Sequence, residues 1–115
     1  MTVTLYGLKT CDTCRKARKE LDAAGISHGY VDVRADGVAP EKLKAWAAEA
    51  GWQTLLNTKS ATWRSLPEDD RSSVGEAEAI TLMGEHPTLI KRPVIETGSS
   101  VLVGWTASAK GALGL

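Results

Sequence analysis

"TLYGLKTCDTCRKARKEL", residues 4–21, passes from a strand pattern to a helix pattern, and both cysteines of the chain sit at the change. Residues Val3 to Tyr6 alternate and are rich in β-formers, and Gly7 breaks that pattern, so a first strand runs into a loop. From Asp12 to Ala24 the chain reads as helix, with Ala17, Leu21 and Ala24 on one side and Arg15, Lys16, Lys19 and Glu20 mostly on others. Gly25 stands where a helix-ending glycine belongs. "SHGYVDVRADG", residues 27–37, then predicts a second strand around Gly29 to Val33 that ends at Asp36-Gly37. Strand, helix and strand within about thirty residues make a βαβ unit, which is parallel and right-handed.

Beyond it, Pro40 opens a helix with Leu43, Trp46, Ala47 and Ala50 at three- and four-residue spacing and Gly51 after it. "WQTLLNTKSATWRSLPEDD", residues 52–70, is irregular, with short helical pieces at best. Residues Glu76 to Glu85 form a further helix with Ala79, Ile80, Leu82 and Met83 on its apolar face. Val94 to Glu96 and Val101 to Val103, separated by Thr97-Gly98-Ser99-Ser100, form a β-hairpin, and Thr106 to Leu115 supplies a closing short helix. The order βαβ, helical stretch, ββα is that of a thioredoxin-like α/β fold. It implies a four-stranded mixed sheet and a single domain over 1–115, with a helical insertion at about 38–88 between the second and third strands.

The bulk properties narrow the function classes. A chain of 115 residues suits one core. Lysine plus arginine equals aspartate plus glutamate at 14 each, so no global field draws the chain to nucleic acid or to an anionic membrane. The N-terminus, MTVTLYGL, is too short and polar for a signal peptide, and no run reaches membrane-spanning length. A cytoplasmic location is therefore expected. In that compartment two close cysteines point to catalysis, redox sensing or metal binding rather than to a permanent staple.

Cys11 falls at the strand-to-helix junction, where free backbone N–H groups and the positive helix end favour a thiolate. Cys14 lies one turn further in, close enough for a disulfide and more shielded. The assignment that follows is Cys11 as attacking nucleophile and Cys14 as resolving partner, with Lys9, Arg15, Lys16 and Arg18 adding positive charge nearby. Two other readings stay open: half of a zinc site, for which His28 and His86 lack ligand-pair spacing, and a pair of packed, inert thiols. A second candidate is "LIKRPV", residues 89–94. Pro93 at a strand entrance cannot donate a ladder hydrogen bond, and in a thioredoxin-like fold this position faces the first cysteine with a cis peptide. Arg92 just before it would bring a guanidinium to Cys11 and to an anionic substrate group. Trp52 and Trp63 among the basic residues Lys59 and Arg64 invite a base-stacking reading, but in a chain without phenylalanine core packing is the expected role of tryptophan.

With these residues in view, the chain resembles the arsenate reductase/Spx superfamily (ArsC-like) of thioredoxin-fold proteins, nearly end to end. The resemblance is carried by "TLYGLKTCDTCRKARKEL", "GWQTLLNTKSATWRSL" and "EHPTLIKRPVIETGSSVLVGW", and it is strongest toward the YffB-like branch of glutathione-dependent thiol reductases. It implies that Cys11 is the reactive cysteine and that Arg92 binds an anion beside a cis Pro93. The candidate substrate contacts are then Lys9, Thr13, Asn57, Arg92 and Pro93. Arsenate reductases carry three arginines around the oxyanion. This chain has a counterpart only in Arg92, with Asn57 at the second position and no arginine near Gly104-Trp105 at the third. The Spx regulators resemble it in carrying a C-x-x-C disulfide switch and bind the RNA polymerase α-subunit, which makes a redox-switched regulator the alternative to an enzyme. The implied co-substrate is glutathione, with no bound cofactor or metal. Glutaredoxin or the RNA polymerase α-subunit is the implied protein partner, with no direct nucleic acid and no membrane.

Overall fold

The computed structural model describes residues 2–72 and 74–115. In chain order the elements are β1 (Thr4–Gly7), α1 (Asp12–Ala23), β2 (Gly29–Asp32), α2 (Val33–Asp36), α3 (Pro40–Ala50), α4 (Trp52–Leu55), α5 (Ala61–Ser65), α6 (Glu68–Ser72) and α7 (Glu76–Glu85). A 3₁₀ turn (Pro87–Leu89), β3 (Val94–Glu96), β4 (Val101–Val103) and α8 (Ala107–Ala112) follow. The chain divides into two compact units, Met1–Asp36 with Arg92–Leu115, and Gly37–Lys91.

The first unit carries the sheet, in the order β2-β1-β3-β4. β1 pairs in parallel with β2 and antiparallel with β3, which pairs antiparallel with β4. The mixed, four-stranded thioredoxin-like sheet is the one expected from the element order. Register places Tyr30, Leu5, Ile95 and Leu102 in one row across the four strands. Because side chains alternate across a sheet, this row shares one face. Against it pack Cys14, Ala17 and Leu21 of α1, spaced for one helical stripe, and Leu113 just after α8.

Local chemistry explains where these elements stop. α1 ends in a Schellman motif: the Ile26 N–H donates to the Leu21 carbonyl at 2.9 Å and the Gly25 N–H to the Asp22 carbonyl at 3.1 Å. Gly25 takes φ 72° there, the left-handed conformation that a residue with a Cβ disfavours. β2 stops at Asp32, earlier than the expected Val33, and the strand-to-turn boundary moves with it. The Asp32 carboxylate accepts the N–H groups of Arg34 and Ala35, both at 2.9 Å, and so starts the helical turn α2. Gly7, read from sequence as the strand breaker, is the last residue of β1 instead. At the other end Thr106 Oγ1 accepts the Ala109 N–H at 3.1 Å and caps α8.

In the second unit α3 packs on α4 and α7. Leu43, Trp46 and Ala47 of α3 and Ala79 and Met83 of α7 are buried, with Trp46 fully so, while Trp52 and Trp63 are half-buried. The stretch read as irregular holds three short helices, of which α5 is started by Ser60 Oγ accepting the Trp63 N–H at 3.1 Å. An isolated antiparallel bridge joins Leu56 to Ile90. Among the described residues no helix is long and apolar enough to cross a membrane.

Candidate functional site

β1 delivers the chain to a turn in which the Cys11 N–H donates to the Leu8 carbonyl at 3.1 Å. Cys11 keeps extended backbone, φ −83° and ψ 116°, as the residue before the first helical one, and its carbonyl accepts the Arg15 N–H at 3.0 Å. Its side chain therefore sits at the mouth of α1, half-buried, where unpaired N–H groups converge. Asp32 braces this turn from the second strand, since its Oδ2 accepts the Lys9 N–H at 3.3 Å. One carboxylate thus joins the loop before Cys11 to the start of α2.

The two thiols differ in environment. Burial pushes the Cys11 thiol up, but the Cys14 backbone N–H, the Cys14 thiol and the Arg92 guanidinium together outweigh it, and the pKa ends below the ordinary value. Cys11 Sγ makes no side-chain capping hydrogen bond at the start of α1. Cys14 is buried in the apolar cluster at 1% exposure, and burial pushes its thiol up to about 12; the nearby Cys11 adds to the rise. Cys14 thus eases ionisation of Cys11, while Cys11 hinders that of Cys14. Ionisation is favoured at the outer sulfur.

Arg92 and Pro93 return from far along the chain to meet this junction. The Arg92–Pro93 peptide is cis, Pro93 is buried, and the Arg92 guanidinium interacts with the Cys11 sulfur by hydrogen bond and by charge. Lys9 and Thr13 are exposed on either side of Cys11, Lys9 in the turn and Thr13 in the first turn of α1. An open groove of about 620 Å³ along α1 is lined by Asp12, Arg15, Lys16, Arg18, Lys19 and Asp22. Asn57 belongs to the second unit, where its N–H donates to the Leu89 carbonyl at 2.7 Å and its side-chain oxygen accepts the Lys59 N–H at 3.1 Å. Those bonds make Asn57 a turn residue of that unit. Among the described residues no three His, Cys, Asp or Glu side chains gather as a metal site would require.

Two residues around the thiols escaped the sequence reading. Gly7 lies against the inner cysteine: a Cβ there would come within 2.5 Å of Cys14 Sγ. A glycine at a strand end carries no mark that distinguishes close approach from chain breaking. Asp32 was read as an interior strand residue, although an Asp two or three residues before unpaired N–H groups is a helix-start signal.

Comparison with known proteins gives concordant results. Residues 6–112 match the model of the ArsC family. A YffB protein of known structure superposes with a TM-score of 0.92 at 45% identity, covering 96% of this chain and 97% of its own. An arsenate reductase (ArsC) related protein from Brucella melitensis superposes with a TM-score of 0.78 at 39% identity, over 100% of this chain and 97% of its own. The global transcriptional regulator Spx of Listeria innocua is 28% identical over 105 residues, 90% of this chain and 79% of the regulator.

Proposed function

Because this chain belongs to the ArsC family, a family of thiol oxidoreductases and redox regulators, we propose that it is a glutathione-linked thiol reductase with Cys11 as nucleophile. The observation that carries this reading is the asymmetry of the two thiols. Cys11 is half-buried at a helix mouth beside Arg92 with a lowered pKa, and Cys14 is buried behind it with a raised one. A lowered pKa raises the thiolate fraction, and the thiolate rather than the thiol attacks sulfur.

In the first step the Cys11 thiolate attacks one sulfur of a glutathione mixed disulfide. A new sulfur–sulfur bond forms at Cys11, the old one breaks, and the departing thiolate takes a proton from water. In the second step either the Cys14 sulfur or a second glutathione thiolate attacks the Cys11 mixed disulfide and releases the bound thiol. Arg92 stabilises the Cys11 thiolate and offers two parallel N–H donors to a carboxylate. Glutathione has two carboxylates, and the cations lining the groove along α1 suit the other. Lys9, Thr13 and the backbone at cis Pro93 border the same approach. A cytoplasmic setting, where thiols stay reduced, suits this chemistry, and glutaredoxin fits as a reductant of the mixed disulfide.

A reductase assay on glutathione mixed disulfides with wild type, Cys11→Ser and Cys14→Ser tests the reading. Loss in Cys11→Ser alone indicates a monothiol cycle and loss in both a dithiol cycle. Absence of activity in the wild type rejects the enzyme.

Similarity to Spx together with the two-residue spacing of Cys11 and Cys14 supports a second reading, a regulator whose sensor disulfide gates binding to the RNA polymerase α-subunit. A pull-down with the α-subunit, oxidised against reduced, separates it from the first. Absence of binding in both states removes it. Arsenate reduction has one arginine, Arg92, in its support, and turnover of arsenate with glutathione and glutaredoxin that is lost in Cys11→Ser is its test.

A further inference from the structure

Tyr30 packs against the apolar cluster that holds Cys14, and neither thiol's described contacts include it. It pairs with Leu5 in the parallel register of β2 with β1, which puts it on the sheet face that carries α1. Its ring packs against the cluster containing Leu5, Cys14, Ala17 and Leu21. The Arg18 guanidinium lies 4.2 Å from the ring centroid and clamps the ring from the α1 side. The phenol oxygen is buried, yet it has no hydrogen-bond partner among the described residues. A buried hydroxyl in that state lowers stability relative to the same ring without it. Phenylalanine would suit the packing better, so the hydroxyl calls for another explanation.

Resolution by Cys14 creates a partner for such a donor. In the Cys11 mixed disulfide, Cys14 must give up its proton before its sulfur can attack, and its surroundings resist that loss. We propose that the Tyr30 hydroxyl donates its unused hydrogen bond to the Cys14 sulfur as that thiolate forms, and so promotes resolution of the Cys11 mixed disulfide. The Cys14 proton passes to water, the Cys14 sulfur bonds to Cys11 Sγ, the bond from Cys11 to the substrate sulfur breaks, and the released thiolate takes up a proton. The two cysteines are oxidised and the mixed disulfide is reduced, with no further reactant. Tyr30 keeps its own proton throughout. Its ionisation is held back by burial first, then by Asp32 and by Cys14, with Cys11 adding a smaller push and Arg18 opposing.

This inference rests on Cys11 being the nucleophile. The test is a single turnover: Cys11 is converted to its glutathione mixed disulfide in wild type and in Tyr30→Phe, and glutathione release without added thiol is followed by mass spectrometry. In Tyr30→Phe release slows by about tenfold, the worth of one hydrogen bond to a charged group. Its rate profile moves to more alkaline pH, where Arg18 and Cys14 on α1, Cys11 at its mouth and Asp32 on β2 are the charged or titrating groups facing the ring. Alkylation of reduced Cys11 keeps its wild-type rate, and the melting temperature is unchanged or higher. Release at the wild-type rate in Tyr30→Phe overturns the role of Tyr30 alone. A wild type that holds its glutathione overturns the resolving step and Tyr30 with it, while failure of Cys11 to form the mixed disulfide rejects the nucleophile itself. A melting temperature lowered together with the rate assigns the hydroxyl to structure and also overturns the proposal.

Discussion

Gly7 gives Cys14 the room it occupies: a Cβ on Gly7 would lie 2.5 Å from Cys14 Sγ and 3.1 Å from Cys14 Cβ. The inner cysteine is thus seated against strand backbone. Both atoms are held, one by the β1 ladder and one by the α1 stripe, so neither can retreat cheaply.

Gly7→Ala overpacks this contact and costs about 1–3 kcal/mol in unfolding free energy, read by urea denaturation under reducing conditions. Cys14→Ala removes the sulfur, so the double variant recovers part of the loss, and the two changes are non-additive. Additive effects would show that the approach of Gly7 to Cys14 carries no strain.

The Arg92 guanidinium lowers the pKa of the Cys11 thiol by hydrogen bond and by charge. In Arg92→Gln the Cys11 pKa rises, because a hydrogen bond and a positive charge are both lost from its thiolate. Where the pKa lies above the working pH, each unit of rise cuts the thiolate fraction about tenfold, but the more basic thiolate is the better nucleophile, so alkylation slows only about threefold per unit. Iodoacetamide kinetics in a Cys14→Ser background measure it. At high pH, where both variants are fully ionised, Arg92→Gln reacts at least as fast as its parent. Identical profiles would remove Arg92 from the site.

The two thiols impose opposite pH dependences on stability. Cys11, with a folded pKa below the ordinary 9.0, contributes stability that is present above 9.0 and lost as pH falls through its folded value. Cys14, raised from 9.0 to about 12, contributes stability that is full below 9.0 and lost as pH climbs toward 12. Between these limits the unfolded chain sheds a proton that the folded Cys14 keeps, a slope of up to about 1.4 kcal/mol per pH unit. Urea unfolding from pH 8 to pH 11 compares wild type with Cys14→Ala, which loses that slope. Parallel curves would contradict the raised Cys14 pKa.

Asp32 holds the turn before Cys11 and the start of α2 together. Asp32→Ala removes the acceptor of three N–H groups and costs about 0.5–2 kcal/mol, the range for a lost helix cap. Amide exchange quickens at Lys9, Arg34 and Ala35, and Asp32→Asn restores part of the protection. The Ala35 N–H, ahead of those of Lys9 and Arg34, holds the Asp32 carboxyl below its usual range. Its contribution is therefore present above that range and lost as pH falls through the lowered value. Asp32→Ala should accordingly lose less stability than wild type on acidification.

Much of the fold was legible because its signals are local. Helical spacing marked α1, α3 and α7; β-rich runs around Thr97-Gly98-Ser99-Ser100 marked the hairpin; Gly25 marked the end of α1. α2 and the three short helices α4, α5 and α6 were not, since a helix of four or five residues carries too little periodicity to stand out. α2 and α5 are started by side-chain acceptors, Asp32 for the Arg34 and Ala35 N–H groups and Ser60 for that of Trp63.

The site divides along the same line. The sequence by itself determined that Cys11 would stand at a helix mouth and Cys14 one turn inside, because strand, loop and helix there follow from a dozen adjacent residues. The arrival of Arg92 at Cys11 was expected from the thioredoxin-like element order, but only the tertiary structure decided the close approach of Gly7 to Cys14 and the packing of Tyr30, its hydroxyl buried, on the cluster that holds Cys14. Those approaches depend on the register of β1 with β2 and β3 and on how α1 beds onto the sheet. A one-residue slip of β2 would turn Tyr30 to the opposite face, and no local propensity encodes that choice.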